Sequence, residues 1–342
     1  SGKNYVGNQL VSSGSKTYQT FNPQTNQVNQ VRFTEASPEE IDKAVSLATS
    51  AFKHYRTYSG ERKAAFLEAI ADGIMELGDE LIDTYCSETG LPQGRAQGER
   101  GRTVFQLRSF AELLREGSWG EAAIDTAIPD RAPIPKPDIR KMMVPLGPVV
   151  VFGASNFPLA YSVAGGDTAA AFAAGCPVLV KAHPAHPGTS ALVGQAITKA
   201  AKDTGMPEGV FSLLFDNGFE IGSVLVEHPA TAAVGFTGSI SGGRALFDIA
   251  ARRSNPIPVF AEMGSTNPSI LLPEALNNRA DQIAGDYAGS ITLGVGQFCT
   301  NPGLILGIKS PGLDTFISAL GQKIVESQPG TMLHAGISKT YA

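Results

Sequence analysis

Val149-Val150-Val151-Phe152-Gly153-Ala154-Ser155-Asn156-Phe157-Pro158 opens a stretch in which strand and helix patterns alternate at short intervals. Its apolar, β-branched start reads as a buried strand, and the residues from Gly153 onward read as the turn that ends it. A helical stretch from Gly166 to Ala174 follows, then strand Pro177 to Val180, helix Ser190 to Lys202 and strand Phe211 to Leu214. Helix Ile221 to Glu227, strand Ala232 to Phe236, helix Ser241 to Arg252 and strand Pro258 to Glu262 complete the run. Strands that return through crossover helices run parallel, so the pattern predicts an α/β fold with a doubly wound parallel sheet.

Working toward the amino terminus, apolar residues recur at helical spacing through Pro38–Ser50 and Glu61–Leu77, and two further helices are expected at Glu80–Glu88 and Glu99–Arg115. These need a sheet to cover. Between them and the sheet, Pro133 to Pro148 is Pro-rich with alternating charged and apolar residues, which reads as a projecting ribbon. Toward the carboxyl terminus a second unit begins after Ser269. It holds strand Ile270–Leu272, helix Leu276–Ser290, the Gly-rich loop Gly294–Gly303, strand Leu304–Ile308 and helix Gly312–Ser327, and it reads as unfinished at Ala342. The expected division is 1–127 with 149–257 as one domain, 128–148 as the ribbon and 258–342 as an incomplete second domain.

Composition narrows the function. The 342 residues are 42% hydrophobic and 17% charged with a net charge of −5, and no basic run is present, so no nucleic-acid partner is expected. No apolar stretch is long enough to span a bilayer, and Ser1-Gly2-Lys3-Asn4 lacks the apolar centre of a secretory signal. Three scattered cysteines, Cys86, Cys176 and Cys299, make neither a disulfide framework nor a metal site. The expectation is no membrane association, no metal, and a reducing cytoplasm in which one thiol stays free.

Several residues are candidates for chemistry, and each has a bland reading beside it. Cys299 lies in Gly294-Val295-Gly296-Gln297-Phe298-Cys299-Thr300-Asn301-Pro302-Gly303, where flanking glycines let a ligand approach a nucleophilic thiol; taken alone, a lone Cys is a small hydrophobe, the role expected of Cys86 and Cys176. Glu262, in Phe260-Ala261-Glu262-Met263-Gly264, ends a strand where open sheets place ligands and has the chemistry of a general base, although a strand-end Glu commonly just faces water. Asn156 is suited to hold an oxyanion, and equally to an ordinary turn. Gly218 and Gly222 in one strand-to-helix crossing, and Phe236-Thr237-Gly238-Ser239 in the next, put backbone N–H groups at helix starts, though neither crossing is a strong dinucleotide motif. Lys181, ending its strand, is in reach of a ribose or phosphate, or simply solvated.

The order of these pieces is more specific than any one of them. Asn-Phe-Pro after a strand, a strand-end Lys, Phe-Thr-Gly-Ser, Glu-Met-Gly-Ser-Thr-Asn-Pro and Gly-Gln-Phe-Cys-Thr follow one another in a series that resembles the aldehyde dehydrogenase superfamily from about Tyr5 to the last residue. The resemblance implies a Rossmann-like cofactor domain, an α/β catalytic domain, and a β-ribbon for assembly into a homodimer or homotetramer. It implies Cys299 as the catalytic thiol, Glu262 as the general base and Asn156 as the oxyanion-holding amide. It also implies a cofactor site built by Phe152, Ala154, Ser155, Asn156, Lys181, His183, Pro184, Gly218, Gly222, Phe236, Thr237, Gly238, Ser239, Glu262, Met263 and Gly264. Met263 and Ser265 depart from the commoner Glu-Leu-Gly-Gly.

The implied activity is NAD(P)-dependent oxidation of a small-molecule aldehyde to its acid through a Cys299 thioester. Many NAD-preferring relatives have a Glu three residues after the lysine; here Pro184 stands there, which leans the expectation to NADP or dual use, with Lys181 or His183 facing a 2′-phosphate. The run Ala160–Thr168, with Lys-Ala-His-Pro-Ala-His-Pro-Gly-Thr-Ser, is most similar to the branch of 2-oxoglutarate semialdehyde and NADP-linked fatty aldehyde dehydrogenases. The semialdehyde is the favoured substrate, with Arg100, Arg102 and Arg108 as candidates to hold its acidic end. Two alternatives stay open: a fatty or other aliphatic aldehyde, and an inactive dinucleotide-binding fragment. Relatives that pass the thioester to phosphate or coenzyme A are a further rival, against which Glu262 speaks.

Overall fold

The computed structural model describes all 342 residues. Its main sheet has seven strands: β1 (Asn4–Val6), β2 (Gln9–Val11), β3 (Val149–Phe152), β4 (Val178–Lys181), β5 (Phe211–Leu214), β6 (Ala233–Gly238) and β7 (Val259–Met263), in the order β7-β6-β3-β4-β5-β1-β2. The five strands from β3 to β7 are parallel, and β1 joins β5 antiparallel at one side. The sequence reading passes over β1 and β2, because three-residue strands are too short to show a period of two.

Alternation sorts the strands' side chains to two faces. Val149, Val151, Val178, Val180 and Leu213 share one core with Phe66 and Ile70 of α2 (Gly60–Glu76), Phe172 of α5 (Gly166–Ala174) and Ile197 of α6 (Pro187–Asp203). Val150, Phe152, Leu179, Leu214 and Val234 share another with Val45 of α1 (Pro38–Tyr55), Leu225 of α7 (Glu220–Glu227) and Leu246 of α8 (Ile240–Arg252). A sheet buried on both faces needs the near-continuous apolar runs seen in β3 and β4. The remaining helices of the first part, α3 (Gly78–Thr89) and α4 (Gln93–Glu116), pack outside α2 and α6.

Chain direction places the crevice. From β3 the chain moves outward through β4 and β5, then returns to lay β6 on the other side of β3. That reversal is the topological switch point, outside whose carboxyl strand ends open α/β sheets bind ligands.

Strand β7, the last strand of the run read from the sequence, pairs with β6 over Val259–Met263. In the ribbon, Ala123–Asp125 pairs antiparallel with Ile139–Lys141, and a bridge joins Ile128 and Lys136. Beyond the sheet, β8 (Pro268–Leu271) pairs in parallel with β9 (Leu304–Gly307). Helices α9 (Pro273–Thr292) and α10 (Pro311–Glu326) pack on each other through Leu276, Ala284, Tyr287 and Phe316, and α11 (Ala335–Tyr341) ends the chain. No helix is long and apolar enough to cross a membrane.

Candidate active site

Three segments distant in sequence meet at the carboxyl ends of β3, β6 and β7. Asn156, half-buried in the turn after β3, donates from Nδ2 to the carbonyl oxygen of Gln297 at 2.8 Å. Beside that contact the rings of Phe157 and Phe298 meet edge-on with centroids 5.3 Å apart. Cys299 follows directly and is exposed, whereas Cys176 is buried and Cys86 packs at the margin of the core. The carbonyl oxygen of Cys299 accepts Asn267 Nδ2 at 2.7 Å and the Ser265 hydroxyl, which fixes the thiol's loop to the chain just after Glu262. The loop's bend uses Gly294 and Gly296 in left-handed conformations, with Val295 between them also at positive φ.

An amide –NH2 carries two donors, so the bond to Gln297 leaves one free on Asn156 for an oxyanion. Glu262 lies on β7 in register with Thr237 of β6 and is exposed. On the same face, Asp167 at the start of α5 lies against Gly235, where a Cβ would come within 3.2 Å of its carboxyl carbon. Burial, and then the charge of Glu262, push the Asp167 carboxyl above the usual carboxylate range. Glu262 therefore has an acidic neighbour that the sequence reading missed; its one signal is an acid inside an otherwise apolar, Gly-rich run.

The turn that carries Asn156 is held from below. Fully buried His186 donates from Nε2 to the Ala154 carbonyl at 2.7 Å, because a carbonyl only accepts; this fixes the tautomer. Burial pushes the His186 imidazole down to about 4. Glu99 of α4 accepts the backbone N–H groups of Leu159 at 2.8 Å and Ala160 at 3.0 Å, and the Tyr85 hydroxyl at 2.7 Å. Neither residue stood out in the sequence, since each acts through a partner far away in the chain.

The expected cofactor residues fall around the switch point. Phe152 ends β3, and its ring packs against Phe236 of β6 at 6.1 Å between centroids. Gly222 and Gly238 leave room for those two rings: a Cβ at Gly222 would come within 2.8 Å of Phe152, and one at Gly238 within 2.7 Å of Phe236. Ser239 caps α8 by accepting the Gly242 N–H at 3.2 Å, and Met263 packs against Gly243 of the same helix. Thr237 is half-buried, Gly238 is exposed and Gly264 takes a left-handed φ of +65°. Ala154 is buried and Ser155 half-buried beside them.

Lys181 is buried and donates from Nζ to the Asp216 carbonyl at 3.1 Å. Asp216 Oδ1 accepts the Gly218 N–H at 2.6 Å, while Oδ2 is buried without a partner. That orphaned acceptor beside a lysine, together with the Gly-lined crevice, fits the hydroxyl-rich ribose of a dinucleotide. His183, expected from sequence to face a phosphate, stands half-buried next to Pro184. It stacks on His186 at 5.3 Å, and burial, then His186, Lys181 and His334, hold it well below its ordinary value, so it is neutral at pH 7. Pro184 follows it, half-buried. No group of three or more His, Cys, Asp or Glu is arranged to hold a metal ion.

The family model described as aldehyde dehydrogenase matches residues 10–337. The chain is 54% identical over 341 residues to alpha-ketoglutaric semialdehyde dehydrogenase 2 of Azospirillum brasilense, covering 99% of this chain and 65% of that protein. It is 48% identical over 340 residues to alpha-ketoglutaric semialdehyde dehydrogenase of Acinetobacter baylyi, covering 99% of this chain and 64% of that one. Among solved structures, 1-pyrroline-5-carboxylate dehydrogenase of Thermus thermophilus superposes with a TM-score of 0.85 at 21% identity, over 98% of this chain and 64% of that one. Betaine aldehyde dehydrogenase of Staphylococcus aureus, solved with NAD+, gives 0.81 at 24% identity, over 98% of this chain and 64% of its own. At these identities the two structures speak for the fold. The chain spans 65% and 64% of the lengths of the two curated relatives.

Proposed function

The chain belongs to the aldehyde dehydrogenase family, and on that premise we propose that it oxidises an aldehyde to a carboxylic acid through a thioester on Cys299. The observation that carries the proposal is the hydrogen bond from Asn156 to Gln297, which holds an oxyanion donor two residues from the thiol. Cys299 Sγ, as thiolate, bonds to the aldehyde carbon, and the carbonyl oxygen becomes an oxyanion. The free N–H of Asn156 and the Cys299 backbone N–H stabilise that charge. Phe236 and Glu262 would border a bound nicotinamide, which would supply the hydride acceptor that side chains lack; once the adduct carbon has given up its hydride, a thioester remains on Cys299 Sγ. Glu262 then takes a proton from water, the water oxygen adds to the thioester carbon, and the C–S bond breaks to release the acid and restore Cys299. The favoured substrate is 2-oxoglutarate semialdehyde, on the strength of the similarity to the two semialdehyde dehydrogenases.

Asn156→Ala tests the oxyanion role. It is expected to lower kcat/KM about 10²- to 10³-fold, the cost of removing one such donor, with kcat falling alongside. A loss below about fivefold would overturn the assignment.

For the cofactor we propose dual use of NAD and NADP. Pro184 removes one carboxylate from the ribose site, but the charges of Asp216 and Glu35 reach Lys181, and neutral His183 adds no cation. A 2′-phosphate is thus neither strongly repelled nor strongly held. The two kcat/KM values are expected to agree within about tenfold, or about 1.4 kcal/mol; a preference above about a hundredfold for either contradicts the reading.

We further propose that the ribbon docks on a second copy in a homodimer or homotetramer. Its Ile124, Ile134 and Met142 are about two-thirds exposed, at 66%, 67% and 66%, more apolar surface than a free ribbon tolerates. Sedimentation of a protein carrying this chain should show a dimer or larger, and replacing all three by Ser should yield monomer. A wild-type monomer would refute it.

A further inference from the structure

The first two turns of α4 carry a recess that the mechanism does not use, with a volume of about 220 Å³. Gly94 and Gly98, one turn apart, form its floor, and nothing lies within 4 Å of where their Cβ atoms would be. Arg95, Glu99 and Arg102 stand on one helix face beside it, at the i, i+4, i+7 spacing.

Arg95 ties the recess to the chemistry. Its guanidinium lies 4.4 Å from the ring centroids of both Phe157 and Phe298, the neighbours of Asn156 and Cys299 respectively. Its Nε–H is buried and has no hydrogen-bond partner. A buried guanidinium donor without an acceptor is costly, and a ligand oxygen is the natural remedy. Glu99 neutralises Arg95 at 3.4 Å, but it is already occupied by Leu159, Ala160 and Tyr85.

Arg102 supplies the uncompensated charge. It donates to the Tyr161 hydroxyl at 2.8 Å, stacks 5.1 Å from that ring, and has no carboxylate within ion-pair distance. The other two arginines expected from sequence face elsewhere: Arg100 donates to the Gly78 carbonyl at 2.9 Å, and Arg108 pairs with Asp72 at 2.9 Å. The recess therefore holds one net positive charge beside aromatic walls.

We infer that this recess is the subsite for the terminal carboxylate of a short aldehyde acid, held by Arg102 and Arg95 while the aldehyde end reaches Cys299. The inference rests on the reading of Cys299 as nucleophile and adds to it the substrate's charge and length. About 220 Å³ is less than the roughly 300–1,000 Å³ of pockets that enclose drug-sized ligands. That suits the carboxylate end of a short acid.

The test uses a protein carrying this chain, with succinic semialdehyde and butanal as probes of equal carbon number. The ratio of kcat/KM for the acid over the neutral aldehyde is expected to fall about 10- to 100-fold in Arg102→Met and in Arg95→Met, the worth of a charge-assisted hydrogen bond. It should recover in part in Arg102→Lys. An unchanged ratio, with both substrates losing equally, would assign the arginines to structure and overturn the inference. Calorimetric binding of glutarate is read in parallel because it needs no turnover. Binding that weakens at least about tenfold in both variants supports the subsite even if wild type oxidises neither aldehyde, an outcome that would instead sink the Cys299 reading. Glutarate that binds all three proteins equally, or none of them, overturns the subsite.

Discussion

Cys299→Ala is expected to abolish aldehyde-dependent reduction of NAD(P), with a loss of at least about 10⁴-fold in kcat. No other thiol can substitute. Cys176 is buried in the main core and burial raises its thiol, while Cys86 sits on α3 and is raised by burial and by the Asp83 charge. A raised thiol holds less thiolate, the form that attacks. Because Cys299 is exposed, removing its Sγ leaves no cavity, and the variant should unfold at the same denaturant concentration as wild type. Loss of turnover with stability intact is the combined signature of a nucleophile. Residual turnover within about tenfold of wild type would move the chemistry elsewhere.

Glu262→Gln is expected to separate the two halves of the reaction. The amide keeps the size of the carboxyl group but cannot take a proton from water, so the thioester should form and then persist. Rapid mixing should show a burst of reduced cofactor approaching one equivalent per active site, followed by steady turnover slowed about 10²- to 10⁴-fold. The site's electrostatics sharpen the expectation. Asp167 lies half-buried against Gly235, with its carboxyl raised by burial and then by Glu262's charge, and the expectation is that it does not take over as base. Steady-state turnover without a burst, at near wild-type rate, would show that another group activates the water.

The parallel sheet was legible because β3 and β4 are near-continuous apolar runs bounded by Gly and Pro, and because apolar residues recur at helical spacing between the strands. Cys299, Glu262 and Asn156 were legible as residue types at strand ends and in a Gly-rich loop. That the segments carrying them come together was implied by the order of motifs and not by any local pattern. What stayed hidden depends on partners distant in the chain. Glu99 reads as one more helix acid until Leu159 and Ala160 are laid over it, and His186 as a loop histidine until Ala154 is placed above its Nε2. Arg95 was passed over for Arg100, Arg102 and Arg108, because charge on a helix face does not tell which arginine meets a hydrogen-bonded carbonyl, which a carboxylate and which a pair of aromatic rings. The stacking of His183 on His186 is likewise a tertiary fact that no local pattern carries. The short strands β1 and β2 were missed because so few residues carry no period.

The most direct measurement is the mass of Glu262→Gln protein after mixing with aldehyde and NAD(P), followed by peptide mapping. An acyl group should appear on the peptide holding Cys299 and nowhere else, and vanish when Cys299→Ala is combined with it. Acyl label on Cys86 or Cys176, or no label while reduced cofactor accumulates, would contradict the account.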